Sequence, residues 1–191
     1  MAEAALVAEL CNLVQAHLPK KEQQLRCEVQ YSELNVHSDV MGPLARMDLL
    51  ISSRPTPPDD RFKPRIAIEV KRYGAPKKLI AADLQRLAAL KTAKPNMRAF
   101  LVVVAEASLP KEFVNTDGEA ISKYVAIPDT ELFHKVRRVL KASPTFRKEQ
   151  IGVAQYVCLI EVLPKPPKSV RPKTQTAPPS PQKPVKKTMP R

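Results

Sequence analysis

Arg65-Ile-Ala-Ile-Glu-Val-Lys71 decides how this chain is read. Ile66, Ile68 and Val70 alternate with Ala67, Glu69 and Lys71, the period of a strand whose successive side chains point to opposite faces. Glu69 and Lys71 therefore project together from a strand that is otherwise apolar. Opposite charges on such a strand are costly unless they pair with each other or bind something. About twenty residues earlier a second apolar stretch, Arg46-Met-Asp-Leu-Leu-Ile-Ser52, carries a lone acid at Asp48.

The surrounding chain supplies the order of elements. Leu6, Leu10, Leu13, Val14 and Leu18 recur at helical spacing and predict a helix over 2–18, closed by Pro19 and the basic Lys20-Lys21. A strand is expected over 24–32, with Leu25, Cys27, Val29 and Tyr31 on one face. Strands at 46–52 and 65–72 follow, then a helix at 76–92 opened by Pro76, a favoured first-turn residue. Leu79, Ile80, Leu87 and Leu90 form its apolar stripe. The unbroken apolar run Arg98-Ala-Phe-Leu-Val-Val-Val104 predicts a central strand over 97–105, covered on both faces. Beyond it the pattern predicts a loop with a short helix at 107–120 and a strand at 123–127. A helix capped by Asp129 or Thr130 and running to about Lys141 is expected next, then a last strand over 154–163.

This set of residues and elements resembles the PD-(D/E)xK, or restriction-endonuclease-like, nuclease superfamily. Asp48 matches its first acid, Glu69 its second and Lys71 its lysine; Met47 stands where the family often has Pro. The α-β-β-β-α-β order over residues 1–106 matches the family core, a mixed central sheet flanked by helices. The resemblance implies a metal-dependent deoxyribonuclease that hydrolyses phosphodiester bonds with Mg²⁺ or Mn²⁺. Asp48, Glu69 and the backbone carbonyl of Val70 would hold the ion, and Lys71 would act beside it. Many members carry a Glu on the first helix that reaches the site. Glu3 fits that role by helix face, against the plainer reading of a solvated acid near a helix N-terminus.

Other readings stand beside this one. Glu69 and Lys71 would also suit an ion pair on an exposed edge strand, with Asp48 merely beginning its own. Asp83 falls within the apolar stripe of the second helix and needs a partner, for which Arg46 and Arg72 are candidates; alternatively it borders the active site. Arg86 and Lys91 suit either DNA contact or ordinary solvation. A catalytically silent nucleic-acid-binding module of the same fold, and an interaction protein docking through its tail, are the alternatives to an enzyme.

Composition bounds these choices. A chain of 191 residues fits one domain, expected over 1–163. Residues 164–191 hold nine Pro and eight Lys or Arg with no acid, and so carry eight of the thirteen net positive charges. Proline removes backbone donors and like charges repel, so this tail is expected to be disordered. It would serve as a solubilising segment or as a clamp on phosphate backbones. Cys11, Cys27 and Cys158 lack metal or disulfide-framework spacing, and His17, His37 and His134 lie in different elements. With four glycines and no G-x-x-x-x-G-K-(S/T) motif, no nucleotide-phosphate loop is expected. No apolar run approaches ~18 residues, and the N-terminus lacks a basic signal segment. The expectation is a soluble cytoplasmic protein with DNA as partner and no membrane contact; cutting both strands would favour a homodimer.

Overall fold

The computed structural model describes residues 2–38, 41–56, 61–106, 108–142, 152 and 154–164. The expected disordered tail, apart from Pro164, lies outside the described residues. The fold is mixed α/β: one seven-stranded mixed sheet and, among the described residues, two α-helices. In chain order they are α1 (Glu3–His17), β1 (Gln23–Gln30), β2 (Arg46–Ser53), β3 (Lys63–Arg72), α2 (Lys77–Ala93), β4 (Arg98–Ala105), β5 (Val125–Ala126), β6 (Phe133–Ala142) and β7 (Gln155–Leu163). A 3₁₀ turn, Tyr31–Leu34, ends the first strand. The sheet order is β1-β2-β3-β4-β7-β6-β5. Among the described strands only β3 and β4 pair in parallel, and α2 is the crossover that a parallel pair requires.

The two faces of the sheet are filled differently. On one face Leu49, Val70 and Val102 meet α1 through Leu6, Val7, Leu10, Cys11 and Val14. No residue of α1 is fully buried, and Leu13 is exposed; the covering arc runs through Val7 and Cys11 instead. The other face holds the main core, where Ile80, Leu84, Leu87, Ala88 and Leu90 of α2 pack on Ala67, Ala99, Leu101 and Val103. Leu79 is exposed, and Leu84 occupies the place expected for it. Cys158 is buried, whereas Cys27 is exposed.

Two local irregularities place the chemistry. Leu25 packs on the α1 side and Val29 on the α2 side, although strict alternation would put both on one face. The change falls at Glu28, whose φ of 52° lies in the left-handed region. The β1–β2 ladder pairs Cys27 with Leu49 and Val29 with Met47, passing over Glu28 and Asp48. Asp48 thus lies within β2 at a gap in its ladder with β1. Gly74, at φ 105°, makes the turn out of β3 into α2, a conformation that side chains disfavour.

Residues 129–141 correct the sequence reading, which expected a helix there. They form the second half of a hairpin: β5 and β6 pair antiparallel. Asp129 adopts φ 60°, and Thr130 Oγ1 both donates to Ile127 O and accepts from Leu132 N. That is turn chemistry rather than helix capping. Leu132, Val136, Val139 and Leu140 have helical spacing because a register shift between Val136 and Arg138 breaks the strand period. The extra residue of a bulge makes a strand imitate a helix in sequence. No short helix forms among the described residues of 107–120 either; they are turns and a bridge between Val114 and Ala120.

Leu87 is fully buried at the centre of the α2 interface. Leu87→Ala should therefore lower unfolding stability by about 2–5 kcal/mol in a urea titration. The exposed Leu79→Ala should change it by less than about 0.5 kcal/mol.

Candidate active site

The register that pairs Leu49 with Ile68 brings Asp48 opposite Glu69 one step further along. The two acids converge. Val70 N–H donates to Asp48 Oδ2 at 2.6 Å, fixing that carboxylate against β3. Glu69 is only 3 % exposed. Tyr31 donates its hydroxyl to Glu69 Oε1 at 2.6 Å, and Arg86 Nε lies 3.5 Å from the same oxygen. Lys71 Nζ donates to Glu3 Oε1 at 2.8 Å and lies 3.3 Å from Asp83 Oδ2. Arg86 also binds Asp83 Oδ1. The buried Oδ2 of Asp83 has charge nearby but no hydrogen bond.

The site is thus assembled from five segments. α1 brings Glu3, the 3₁₀ turn Tyr31, β2 Asp48, β3 Glu69 and Lys71, and α2 Asp83 and Arg86. The sequence-derived residues Asp48, Glu69, Lys71 and Glu3 all lie in this group. Asp83 is paired, but with Lys71 and Arg86 rather than with Arg46 or Arg72, which bind Glu28 and Glu106. Tyr31 and Arg86 were not expected as parts of it. The Asp83-x-x-Arg86 spacing puts acid and base on one helix face and was readable. Nothing local in sequence links Tyr31 to Glu69, 38 residues away.

Burial and charge set the protonation states. Burial, then the Asp48 charge, pushes the Glu69 carboxyl up to about 8, against the lowering effect of the Tyr31 hydrogen bond. Burial also raises Asp48, partly offset by Val70 N–H and Lys71. Asp83 is raised by burial despite Arg86 and Lys71. Burial pulls Lys71 down, but the Glu3 hydrogen bond and the acids around it leave it above the ordinary lysine value. Lys71 is therefore a fixed positive charge at neutral pH, which argues against its serving as a base.

Two facing carboxyls, one of them holding a proton at neutral pH, are hard oxygen donors that a divalent cation would ionise by displacing that proton. They suit Mg²⁺ or Mn²⁺. Among the described residues no group of three or more His, Cys, Asp or Glu is gathered for one ion. The pair would depend on backbone oxygen and water for its remaining ligands, as Mg²⁺ sites commonly do. Comparison with family models, with curated proteins and with solved structures finds no match. No helix among the described residues is long and apolar enough to cross a membrane.

The sign of the pH dependence follows. A carboxyl whose folded pKa exceeds its unfolded value stabilises the fold below the unfolded value and loses that contribution as pH rises through the folded one. For Glu69 the window runs from the ordinary 4.5 to about 8. Asp48 and Asp83 add in the same direction. In chelator, melting temperature should fall across this window. Glu69→Gln, which keeps an acceptor for Tyr31, should flatten the fall and be the more stable protein at its upper end. A melting temperature that rises over the same window would contradict the assignment.

Proposed function

We propose that the chain is a metal-dependent nuclease of the restriction-endonuclease-like type, hydrolysing phosphodiester bonds in DNA. The observation that carries the reading is the convergence of Asp48 and Glu69 from adjacent strands, with Lys71 held beside them. The α1-β1-β2-β3-α2-β4 order, with β3 and β4 parallel, supports it.

Asp48, Glu69 and the Val70 carbonyl would hold the cation. When bound, a divalent ion polarises the phosphate and lowers the pKa of a water from ~16 towards neutrality. The protein's own groups have separable tasks. Val70 N–H aims the Asp48 carboxylate. Tyr31 and Arg86 hold Glu69 by one oxygen, so the residue cannot turn away when its proton leaves. Glu3 and Asp83 grip Lys71 from α1 and α2, which fixes its ammonium in direction and keeps it charged. That ammonium offsets negative charge growing on the phosphate oxygens.

One observation favours a second reading. Glu3, Lys71, Asp83, Arg86, Glu69 and Tyr31 form a chain of contacts in which each charge already meets another. A nucleic-acid-binding module without chemistry could keep such a network for stability. Turnover separates the two. Purified protein should nick or cut DNA with Mg²⁺ or Mn²⁺ and be inactive in chelator. Asp48→Ala and Glu69→Ala should abolish cutting, and Lys71→Ala should slow it about a hundredfold or more. Binding without cutting at any metal concentration would select the silent module. Equal cutting by all three variants would remove the site from the reaction.

A further inference from the structure

A cavity of about 530 Å³ lies against the first half of α2, next to the candidate active site but outside it. Its apolar lining includes Ile80, Ala81, Leu84 and Phe113. Tyr73 stands at its edge, two residues beyond Lys71, which is about 7 Å along a strand. The Tyr73 hydroxyl donates to Glu112 at 2.7 Å, and Lys77 pairs with Glu112 at 2.8 Å, so the wall on that side is fixed.

Two further features narrow what the cavity would hold. His134 lines it, set edge-on to the Phe113 ring with centroids 6.3 Å apart. Its buried Nδ1 has no hydrogen-bond partner. Burial lowers the His134 pKa, so the ring is neutral and offers one donor and one acceptor nitrogen. A wholly apolar ligand would leave Nδ1 unmet, at a cost typical of an orphaned buried polar atom. The exposed Lys111 and Lys123 line the same cavity and form no ion pair with an acid among the described residues. A largely apolar slot with aromatic edges, one unpartnered polar atom, an acid already met by Tyr73 and Lys77, and further cationic side chains suits a flat heteroaromatic ring joined to an anion.

We propose that this cavity binds one nucleotide unit, its base against Phe113 and His134 and its phosphate towards Lys111 and Lys123. The unit is either a free nucleotide or an unstacked nucleotide of a strand. The second source rests on the nuclease reading, because a strand crossing Lys71 reaches Tyr73 within about two nucleotide steps of 3.4 Å. It would make the enzyme prefer DNA with unpaired bases beside the cut. Bases seated on aromatic side chains add affinity without regard to sequence.

The test uses the full chain in chelator, where no cutting occurs. A short fluorescein-labelled single-stranded oligodeoxythymidylate is titrated by anisotropy, alone and against dTMP. Ala81→Phe fills the cavity and Lys123→Glu reverses a charge beside it; each should weaken strand binding about tenfold. Lys78→Glu, exposed on α2 and not part of the cavity lining, controls for net charge and should weaken it much less. Melting curves verify that Ala81→Phe folds, and Lys123→Glu decides if it does not. Displacement by dTMP assigns the site to free nucleotides as well; no displacement assigns it to a nucleotide within a strand. Strand binding by folded variants equal to wild type overturns the proposal. Metal-dependent cutting with unchanged KM in both variants leaves the nuclease and removes the cavity. Cavity-dependent binding without any cutting does the reverse.

Discussion

The burial of Glu69 beside Asp48 is the constraint around which the rest of the site is arranged. A carboxyl at 3 % exposure cannot ionise without compensation, and a second acid opposite makes ionisation harder still. Every neighbouring choice addresses this cost. Tyr31 offers a hydroxyl, Arg86 a guanidinium, and Asp83 holds that guanidinium in place. Lys71, two residues on, is gripped in turn by Asp83 and Glu3. The positive charge is ample but held at a distance: Arg86 Nε is 3.5 Å from Glu69, and the lysine belongs to other acids. The Asp48 charge still raises the Glu69 carboxyl, and a cation shared between the two would remove that cost. That is the physical content of the proposal that a cation belongs there.

Fold and chemistry are coupled through two backbone irregularities. The left-handed Glu28 and the gap in the β1–β2 ladder take Asp48 out of regular pairing, so that its carboxylate accepts the Val70 N–H. The parallel β3–β4 pair forces a crossover, and the crossover is α2, which delivers Asp83 and Arg86 to the same strand. The first half of that helix also walls the neighbouring cavity. A single helix therefore joins the acid network to the proposed nucleotide slot. Shifts of α2 against the sheet would be felt in both places.

Legibility in the sequence followed the range of the interactions. The β3 stretch was readable because alternation of Ile66, Ile68 and Val70 against Glu69 and Lys71 is a local pattern. The continuous run of β4 and the stripe of α2 were readable for the same reason. Residues 133–142 were not, because one bulge at Val136–Arg138 converts a strand period into a helical one. Asp83 was visible as an anomaly, yet its partners were misassigned: Arg46 and Arg72 lie at the surface, paired with Glu28 and Glu106, while Lys71 and Arg86 reach Asp83. Tyr31 was read as one more buried strand residue. Its bond to Glu69 joins positions 38 residues apart and leaves no periodic trace.

Anomalous diffraction from Mn²⁺-soaked crystals tests the central claim without recourse to activity. The account predicts one strong peak between the Asp48 and Glu69 carboxylates, with metal–oxygen distances of about 2.1 Å. Tyr31 and Arg86 should still hold Glu69 by its other oxygen. Saturating Mn²⁺ with no peak between these two acids, and Glu69 left in contact only with Tyr31 and Arg86, would contradict it.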